Sequence, residues 1–377
     1  MNKIGLSASI ALALTATSVS AANYSVDGRG DAMGGVGVVS ADFLTAPFYN
    51  PALAALYRRN DNAGMVLPGL GLSYTDQGDL LGSIDAAGSA SSEAEAEAAI
   101  AGLNGDQLAL DVGGTVAFAI PNSFVSMNLF GKVYSESYVT ADMDTTQATS
   151  AENLNNSLVK ILGIGVTEAG MTFAKYYTLF GQHMSFGVSP KIQRVYSVAS
   201  HASFSNFDTS KILDSASGET AFNIDAGAVW FYGPWRVGFS AMNIMAREIE
   251  TDQYTVTQGT RDVKIGDTYK LDPNYTIGAG LVGDYATFSI DYDLVKREKF
   301  VGVDDDEQML RAGVEVDIMR QMQLRAGYHT NLANSNNEGT MTAGIGLSPL
   351  NIITLDIGAS YTNSNSMGVY INFLSNY

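Results

Sequence analysis

The sequence predicts an all-β fold, a transmembrane antiparallel β-barrel of about 14 strands. Three observations lead to that prediction. Apolar and polar residues alternate with a period of two along many segments. Tight turns and long connections follow one another in strict alternation. The chain also combines an N-terminal export signal with only 16% charged residues and a mean hydropathy of +0.05.

Composition excludes several classes of protein. The 377 residues include 21 Lys and Arg against 39 Asp and Glu, which gives a formal net charge of −18. We expect no nucleic-acid partner, because phosphate binding needs a basic surface. The absence of Cys excludes disulfides and thiolate metal sites. None of His183, His201 and His329 accompanies a recognisable nucleophile motif, so the sequence predicts no enzyme, no cofactor and no metal site.

The N-terminus carries a secretory signal. Lys3 precedes a short apolar run, residues 4–16, and Val19-Ser20-Ala21 then places small residues before a cleavage site. We therefore assign residues 1–21 as a signal peptide. The alternative is an N-terminal anchor helix, for which the apolar run is short.

Alternation is clearest in the C-terminal half of the chain. Ala286, Phe288 and Ile290 fall on one face of a strand, whereas Thr287, Ser289 and Asp291 fall on the other. Successive side chains of a strand point to opposite faces. One face of each strand is therefore apolar, and the other holds charges and Gly. A soluble sandwich would alternate in the same way.

Strand counting separates these two alternatives. Strands are predicted near 62–76, 107–120, 123–139, 158–175, 180–196, 219–232, 235–250, 272–282, 286–299, 307–318, 322–331, 339–348, 352–362 and 367–374. Their connections are alternately tight and long, and the long ones include 77–106, 140–157, 197–218 and 251–271. Short inner turns and long outer loops are typical of outer-membrane barrels. We assign residues 61–377 to the barrel, with a helical insert at 77–106 in an outer loop.

Aromatic residues agree with a membrane location. The final predicted strand alternates and the chain ends at Tyr377, which resembles the signal that outer-membrane assembly machinery reads. Other aromatic residues lie at strand ends, where a girdle at each membrane interface would place them. They are Tyr74, Tyr134, Tyr138, Tyr176, Tyr177, Trp230, Tyr232, Trp235 and Tyr285. The alternative is an ordinary aromatic β-core.

The segment before the first strand does not alternate. Its glycines permit tight turns, and Asn50-Pro51 predicts the start of a short helix through Arg58, with Asn50 as its cap. A dinucleotide-binding loop is excluded because no strand precedes these glycines. We assign residues 22–60 as a plug inside the barrel lumen, with Gly30, Met33, Gly34 and Gly35 at its turn.

This segment resembles the N-terminal plug of the FadL superfamily of long-chain fatty-acid transporters. The resemblance rests on Gly30, Ala32, Met33, Gly34 and Gly35, followed by Asp42 and by Phe48-Tyr49-Asn50-Pro51-Ala52. It is closest to the barrel-type TraF proteins of plasmid conjugal transfer, whose Ala- and acid-rich insert resembles residues 85–104. The resemblance implies a fourteen-stranded barrel with an internal plug and the passage of hydrophobic molecules.

The plug supplies the candidate ligand-binding residues. Phe43, Leu44, Phe48, Tyr49, Asn50, Pro51, Leu53 and Leu56 would project into the lumen. An apolar ligand would gain about 25 cal/mol per Å² of surface that it buries there. The alternative is that these residues only pack the plug against the wall.

Charges on the lumen face predict a second feature. A short turn places Arg325 opposite Glu315 or Asp317, and Arg311 lies on the same face. We predict an Arg–carboxylate ladder that fixes the wall and holds the plug through Arg29 or Asp31. The alternative is a set of water-exposed charges around a pore.

The sequence therefore predicts an outer-membrane protein of a Gram-negative bacterium, with lipid and lipopolysaccharide around it. Its expected function is that of a FadL-like channel for passive uptake of hydrophobic or small amphipathic molecules. The alternative is a non-transporting accessory or scaffold protein of a conjugation or secretion system. The expected partners are a hydrophobic small-molecule ligand, the outer-membrane assembly machinery and, for the alternative, the conjugation apparatus.

Overall fold

The structure, a computed structural model, describes residues 27–57, 63–89, 92–103, 107–203, 217–333, 338–349 and 353–376. The predicted signal peptide, residues 1–21, lies outside the described residues, as do residues 22–26 and 58–60 of the predicted plug.

Fourteen antiparallel strands close into a barrel, which confirms the predicted fold class. Each strand pairs with its neighbours along the chain, and β1 pairs with β18 to close the ring. The barrel strands are β1 Gly64–Gln77, β2 Gln107–Ile120, β3 Ser126–Asp142, β4 Leu158–Leu179, β5 Gln182–Ser203, β6 Ser217–Tyr232, β7 Trp235–Met242, β12 Asn274–Val282, β13 Ala286–Asp293, β14 Met309–Ile318, β15 Met322–Asn331, β16 Thr340–Leu347, β17 Ile353–Asn363 and β18 Ser366–Asn376.

The connection between β7 and β12 contains four further strands. They are β8 Arg247–Glu250, β9 Tyr254–Gln258, β10 Arg261–Ile265 and β11 Thr268–Leu271, and they form two small sheets, β8 with β11 and β9 with β10. The prediction of one strand over 235–250 was wrong. Asn243 takes a left-handed conformation with φ 54° and donates its N–H to the Asp225 carboxylate at 2.7 Å, which ends β7.

Helices occur in the N-terminal segment and in the long connections. They are α1 Gly28–Ala32, α2 Ala46–Tyr49, the 3-10 helix Pro51–Ala55, α3 Leu80–Ser89, α4 Glu93–Leu103 and α5 Ser150–Asn156. α3 and α4 form the predicted helical insert. The Asn50 side chain accepts from the Ala52 N–H at 3.1 Å as a helix cap, but the helix ends at Ala55 rather than Arg58. Within the described chain, no helix has the length and apolar character to cross a membrane.

The two ends of the barrel differ. Short connections at 121–125, 180–181, 233–234, 283–285 and 319–321 lie at one end, which we call the turn side. The helical insert, β8 to β11 and the connection 294–308 lie at the other end, which we call the loop side.

The outer surface of the barrel is apolar. Phe288 and Ile290 are 46% and 40% exposed, whereas the alternate residues Ser289 and Asp291 are buried. The same division holds along β14, where Val314 and Val316 are exposed. The predicted apolar face therefore forms the outside of the barrel.

The aromatic residues divide into two groups. Tyr232, Trp235 and Tyr285 are exposed at the turn side, as a girdle requires. Tyr134 and Tyr138 are buried inside the barrel, so their placement in a girdle was wrong. They share the inward face of β3 with buried Glu136, and that common parity could have shown their direction.

Candidate functional site

Residues 27–57, which we call the N-terminal segment, lie inside the barrel. α1 contacts β15 to β18, and the 3-10 helix contacts β3 to β6 on the opposite side. Almost every residue from Asp27 to Ala54 is buried. A segment that touches strands all around a closed barrel occupies its lumen.

The wall is lined by glycines where the N-terminal segment approaches it. Eight of them form four pairs, each directly opposed across two neighbouring strands, and we call this set the glycine belt. The pairs are Gly187 with Gly227, Gly238 with Gly278, Gly313 with Gly327, and Gly344 with Gly358.

The glycine belt allows a backbone approach that any side chain would prevent. A Cβ on Gly238 would lie 2.8 Å from Val39 Cγ1, and one on Gly344 would lie 2.5 Å from Ala32 Cβ. Real Cβ atoms essentially never come within 3.0 Å of another heavy atom in this way. At these eight positions the wall therefore has no side chain between its backbone and the N-terminal segment. The period-two alternation placed glycines on the inner face, but it predicted no role for them.

The predicted turn of the plug lies against one part of this belt. The Met33 side chain is 1% exposed, and the Met33 backbone faces Gly313 and Gly327. Gly34 and Gly35 have φ of 77° and 81°, a region that favours glycine. Gly30 lies within α1, and its carbonyl accepts from the Met33 and Gly35 N–H groups at 3.0 and 2.8 Å, which closes the turn that follows the helix.

The predicted ligand residues divide between two environments. Phe48, Leu53 and Tyr49 belong to a buried apolar cluster, in which the Phe48 and Phe130 rings meet edge to face at 5.9 Å. Phe43, Leu44 and Leu56 also border an open cavity on the turn side. Packing explains the first group, and only the second lines a space that a ligand of substantial size could occupy.

Polar side chains of the wall, and Asn50 within the segment itself, fix the backbone of the N-terminal segment. Asn50 Nδ2 donates to the Val38 carbonyl at 2.9 Å, and Asp291 Oδ2 accepts from the Gly37 and Val38 N–H groups at 2.7 and 2.9 Å. Further bonds join Ser240 to the Tyr49 carbonyl, Ser185 to the Ala52 carbonyl, Thr342 to the Ala32 carbonyl, Asn128 to the Phe43 carbonyl and Asn372 to the Gly28 N–H. Proline at position 51 starts the 3-10 helix beside Gly187.

An ion-pair chain joins the N-terminal segment to the wall on the turn side. Arg29 donates to both oxygens of Glu315, each at 2.8 Å, in a bidentate pair. Arg325 lies opposite Glu315 across the hairpin and donates to it at 2.7 Å. Arg325 also donates to Asp356 at 2.6 Å. We call these four residues the turn-side network.

Two residues of the predicted ladder lie outside this network. Asp317 faces Gln323 and accepts from its amide at 3.3 Å, because the strand register pairs position 317 with 323 rather than 325. Arg311 is near the loop side, where it donates to Asp293 at 2.8 Å. Asp31 accepts from the Asp27 N–H at 3.0 Å within α1.

Arg311 belongs to a second set of ion pairs, the loop-side network. Glu307 lies 3.2 Å from Arg297, 3.0 Å from Lys299 and 3.8 Å from Arg311, and Lys299 also reaches Glu136 at 3.2 Å. Burial acts to raise the pKa of Glu307, but Lys299, Arg297 and Arg311 outweigh it and lower that pKa to about 2. Beside it, Lys191 lies between Glu168 at 3.3 Å and Asp225 at 2.9 Å.

Two spaces flank the N-terminal segment. The cavity on the turn side measures about 900 Å³ and is bordered by the turn-side network, by Arg236 and by the apolar residues named above. The space on the loop side, which we call the loop-side chamber, measures about 60 Å³ and is bordered by Lys191 and by Arg297 and Arg311 of the loop-side network. The N-terminal segment therefore separates a wide cavity from a small polar one.

An apolar cluster lies on the loop side of these charges. Phe300, from the connection 294–308, is fully buried and meets Tyr269 and Tyr138 edge to face at 5.0 and 5.8 Å. Ile249, Val263, Ile265 and Leu271 of the small sheets pack with them. The long connections thus fold inward and cover this end of the lumen.

Solved structures of similar fold include two toluene transporters and a FadL homologue. The Ralstonia pickettii toluene transporter TbuX has a TM-score of 0.55 at 10% identity, covering 94% of this chain and 99% of that one. The Pseudomonas putida toluene transporter TodX has a TM-score of 0.54 at 10% identity, with the same coverage. A Pseudomonas aeruginosa FadL homologue has a TM-score of 0.54 at 11% identity, covering 96% and 99%.

At such low identity these likenesses show the fold, which is that of the FadL-like barrels. No curated protein sequence matches the chain significantly. Residues 47–293 match the family described as "F plasmid transfer operon, TraF, protein", and this range is more than half of the chain. The chain therefore belongs to the TraF family, as its resemblance to the barrel-type TraF proteins indicated.

Proposed function

We propose that the chain is an outer-membrane channel of the FadL-like type, in which the N-terminal segment is the plug and small amphipathic molecules pass passively. The observation that carries this proposal is the position of the N-terminal segment between the cavity of about 900 Å³ and the loop-side chamber. Outer-membrane location, in a Gram-negative cell envelope with lipid and lipopolysaccharide around the barrel, is part of the proposal, and so is insertion by the outer-membrane assembly machinery.

The contacts of the N-terminal segment suit a movable plug. It is held by hydrogen bonds and by one bidentate ion pair, Arg29 with Glu315. Hydrogen bonds contribute about 1 kcal/mol each because water replaces them when they break. The glycine belt contributes no side chains that would interlock with the plug. These contacts fix one position of the N-terminal segment, but the segment can leave that position without breaking a covalent bond.

The lining favours amphipathic over purely hydrophobic molecules. Phe43, Leu44 and Leu56 offer apolar surface on the turn side, but charged residues border the same cavity. A molecule crossing the lumen must also pass the turn-side and loop-side networks, where a purely apolar solute would offer no hydrogen bonds to the buried charges. We infer that the hydrocarbons carried by the toluene transporters are less suitable here than solutes with a polar group.

A locked plug tests the channel. The chain has no Cys, so an introduced pair of cysteines can form a disulfide only with each other. A Cβ on Gly358 would lie 3.1 Å from Ala32 Cβ and 2.9 Å from the Gly28 carbonyl oxygen, whereas the Cβ atoms of a disulfide are at least ~3.5 Å apart. The Gly358→Cys side chain therefore loosens the segment by itself, and the reduced double variant is the reference for the oxidised one. We expect proteoliposomes with oxidised Ala32→Cys/Gly358→Cys protein to admit small amphipathic solutes far more slowly than after reduction. Each single variant serves as a control, and equal swelling rates before and after reduction would contradict a moving plug.

The second candidate is an accessory or scaffold protein of the conjugation apparatus. It is favoured by the TraF family match and by the dense set of bonds on the N-terminal segment. The locked variant also separates this candidate from the channel. If a deletion strain regains mating efficiency with the oxidised variant while solute entry stays blocked, the protein acts without transport.

A catalytic role is not proposed. His183 and His201 contact the hydroxyl groups of Tyr176 and Tyr254 on exposed surfaces, and His329 is buried in the wall. The fold is shared with transport proteins. The expectation of a non-enzyme stays a prediction.

A further inference from the structure

The loop-side chamber has the features of a binding site for a small charged solute. It lies between the N-terminal segment and the apolar cluster on the loop side. Its charged lining residues carry both signs on facing walls. They are Lys132, Glu168, Lys191, Asp291, Arg297 and Arg311.

The lining has four cations and two carboxylates, and the wall partners Asp225 and Asp293 bring the two signs to equal numbers. Lys191 is shared by Glu168 and Asp225, and Arg311 is paired with Asp293. Most of these groups are held by partners in the wall, so they cannot turn away from the chamber. A site built in this way favours a solute that carries a positive and a negative group, because a single net charge would face repulsion from one wall.

One carboxylate oxygen of Asp291 can accept a further hydrogen bond. Its Oδ2 holds the Gly37 and Val38 N–H groups, while its Oδ1 has no hydrogen-bond partner among the described residues. The side chain is 1% exposed and borders the chamber. A buried acceptor without a partner is destabilising, so a donor from a solute or from water is favoured there.

The size of the chamber limits what can enter. A cavity holds about one water per 10–15 Å³ of this volume, so about 60 Å³ accommodates roughly four to six waters. A cavity that binds benzene measures about 150 Å³ and is apolar. The chamber is therefore too small and too polar for an aromatic hydrocarbon.

We propose that the loop-side chamber binds a small zwitterion of about five non-hydrogen atoms, with its ammonium group at Asp291 Oδ1 and its carboxylate on the side of Lys132 and Arg297. The ligand class is that of glycine, the smallest amino acid. This inference rests on the proposed function for the route of entry, since the N-terminal segment and the loop-side cluster must admit the solute. It gives that function a substrate class distinct from hydrocarbons.

Equilibrium dialysis of radiolabelled glycine against the purified full chain in detergent tests the site. We expect saturable binding that weakens at least tenfold in Lys132→Met and is kept in Lys132→Arg. Lys175→Met is the matched control, because Lys175 lies at the turn side, 4.5 Å from the Phe124 ring centroid, and its loss removes the same charge. No saturable binding, or equal affinity in Lys132→Met, would overturn the inference.

Two single-charge probes complete the test. Methylamine and acetate each carry one of the two groups, and we expect both to compete with labelled glycine more than tenfold less strongly than unlabelled glycine does. Equal competition by either probe would refute a zwitterion site. Failure of the channel is a separate outcome: glycine binding without swelling of proteoliposomes would refute transport, whereas swelling without glycine binding would refute only this site.

Discussion

Filling one position of the glycine belt is expected to unseat the N-terminal segment. Gly238 is the best position, because the three atoms nearest to a Cβ added there would all belong to Val38 and Val39 and none to the wall. Valine suits a strand, so Gly238→Val should leave β7 intact.

The size of the effect follows from the local contacts. Overpacking of this kind costs about 1–3 kcal/mol. Four hydrogen bonds also hold residues 37–39. Asp291 accepts two of them, and Asn50 and Arg236 each donate one. At about 1 kcal/mol each they set an upper range of roughly 4 kcal/mol for complete local release. A cost of about 1.4–3 kcal/mol raises the displaced population by about ten- to hundredfold.

Cysteine labelling measures that population. Ala46 is fully buried in α2, so Ala46→Cys becomes accessible to maleimide only when the segment moves. We expect labelling about ten- to hundredfold faster when Gly238→Val is added. Gly165→Val is the control, since a Cβ there would find its nearest neighbour at 3.8 Å, in Tyr196. Labelling that is equally slow in all backgrounds would refute the idea that the belt reserves space for the segment.

Further predictions concern the charges and the loop-side cluster. Glu315→Gln should lower the free energy of unfolding by about 3–5 kcal/mol, because it leaves Arg29 and Arg325 buried without their shared carboxylate. The control Asp317→Asn affects only the bond to Gln323 and should lower the free energy of unfolding by less than about 1 kcal/mol. Arg325→Met should lower the thermal midpoint by several degrees in the same unfolding assay, and an unchanged midpoint would remove the turn-side network as a stabilising element. Phe300→Ala should cost about 3–5 kcal/mol and speed proteolysis of the connection 294–308; unaltered cleavage would contradict a packed cover. Burial raises the pKa of Asp305 to about 7, so the folded state binds the proton of this carboxyl more tightly than the unfolded state does. The contribution of this proton to folding stability is fully present below the unfolded pKa of about 3.9 and is lost as the pH rises to about 7. Asp305→Asn should therefore flatten the dependence of stability on pH between about 4 and 7, and an unaltered slope would show that another group titrates there.

The outside of the barrel was predictable because, in the membrane location that we propose, lipid imposes one requirement on every strand. Phe288, Val314 and their equivalents must be apolar whatever the rest of the chain does, so the period of two is visible in the sequence alone. The strand register then follows from short turns. It correctly opposes Arg325 to Glu315, and it also explains why Asp317 meets Gln323 instead.

The inside of the barrel was less predictable, because inward-facing residues contact partners that are far away in the sequence. Gly238 is recognisable as space for Val38 and Val39 only after the lumen is assembled. Likewise, Tyr138 lies near a strand end and suggests a girdle, but Phe300 folds in from a distant connection to meet it. The local periodicity of the sequence contains no information about these long-range contacts.

The glycine belt has a consequence for how the protein matures. The N-terminal segment is bonded to β18 through Asn372 and precedes β1 in the chain, and β1 and β18 are the two strands whose pairing completes the ring. The occupant of the lumen is thus tethered at the seam that encloses it. Because the glycine belt leaves space for the segment in the inner wall, a ring that closed ahead of its occupant would enclose that space filled with water. We therefore expect the N-terminal segment to enter the barrel before, or together with, the final strand pairing.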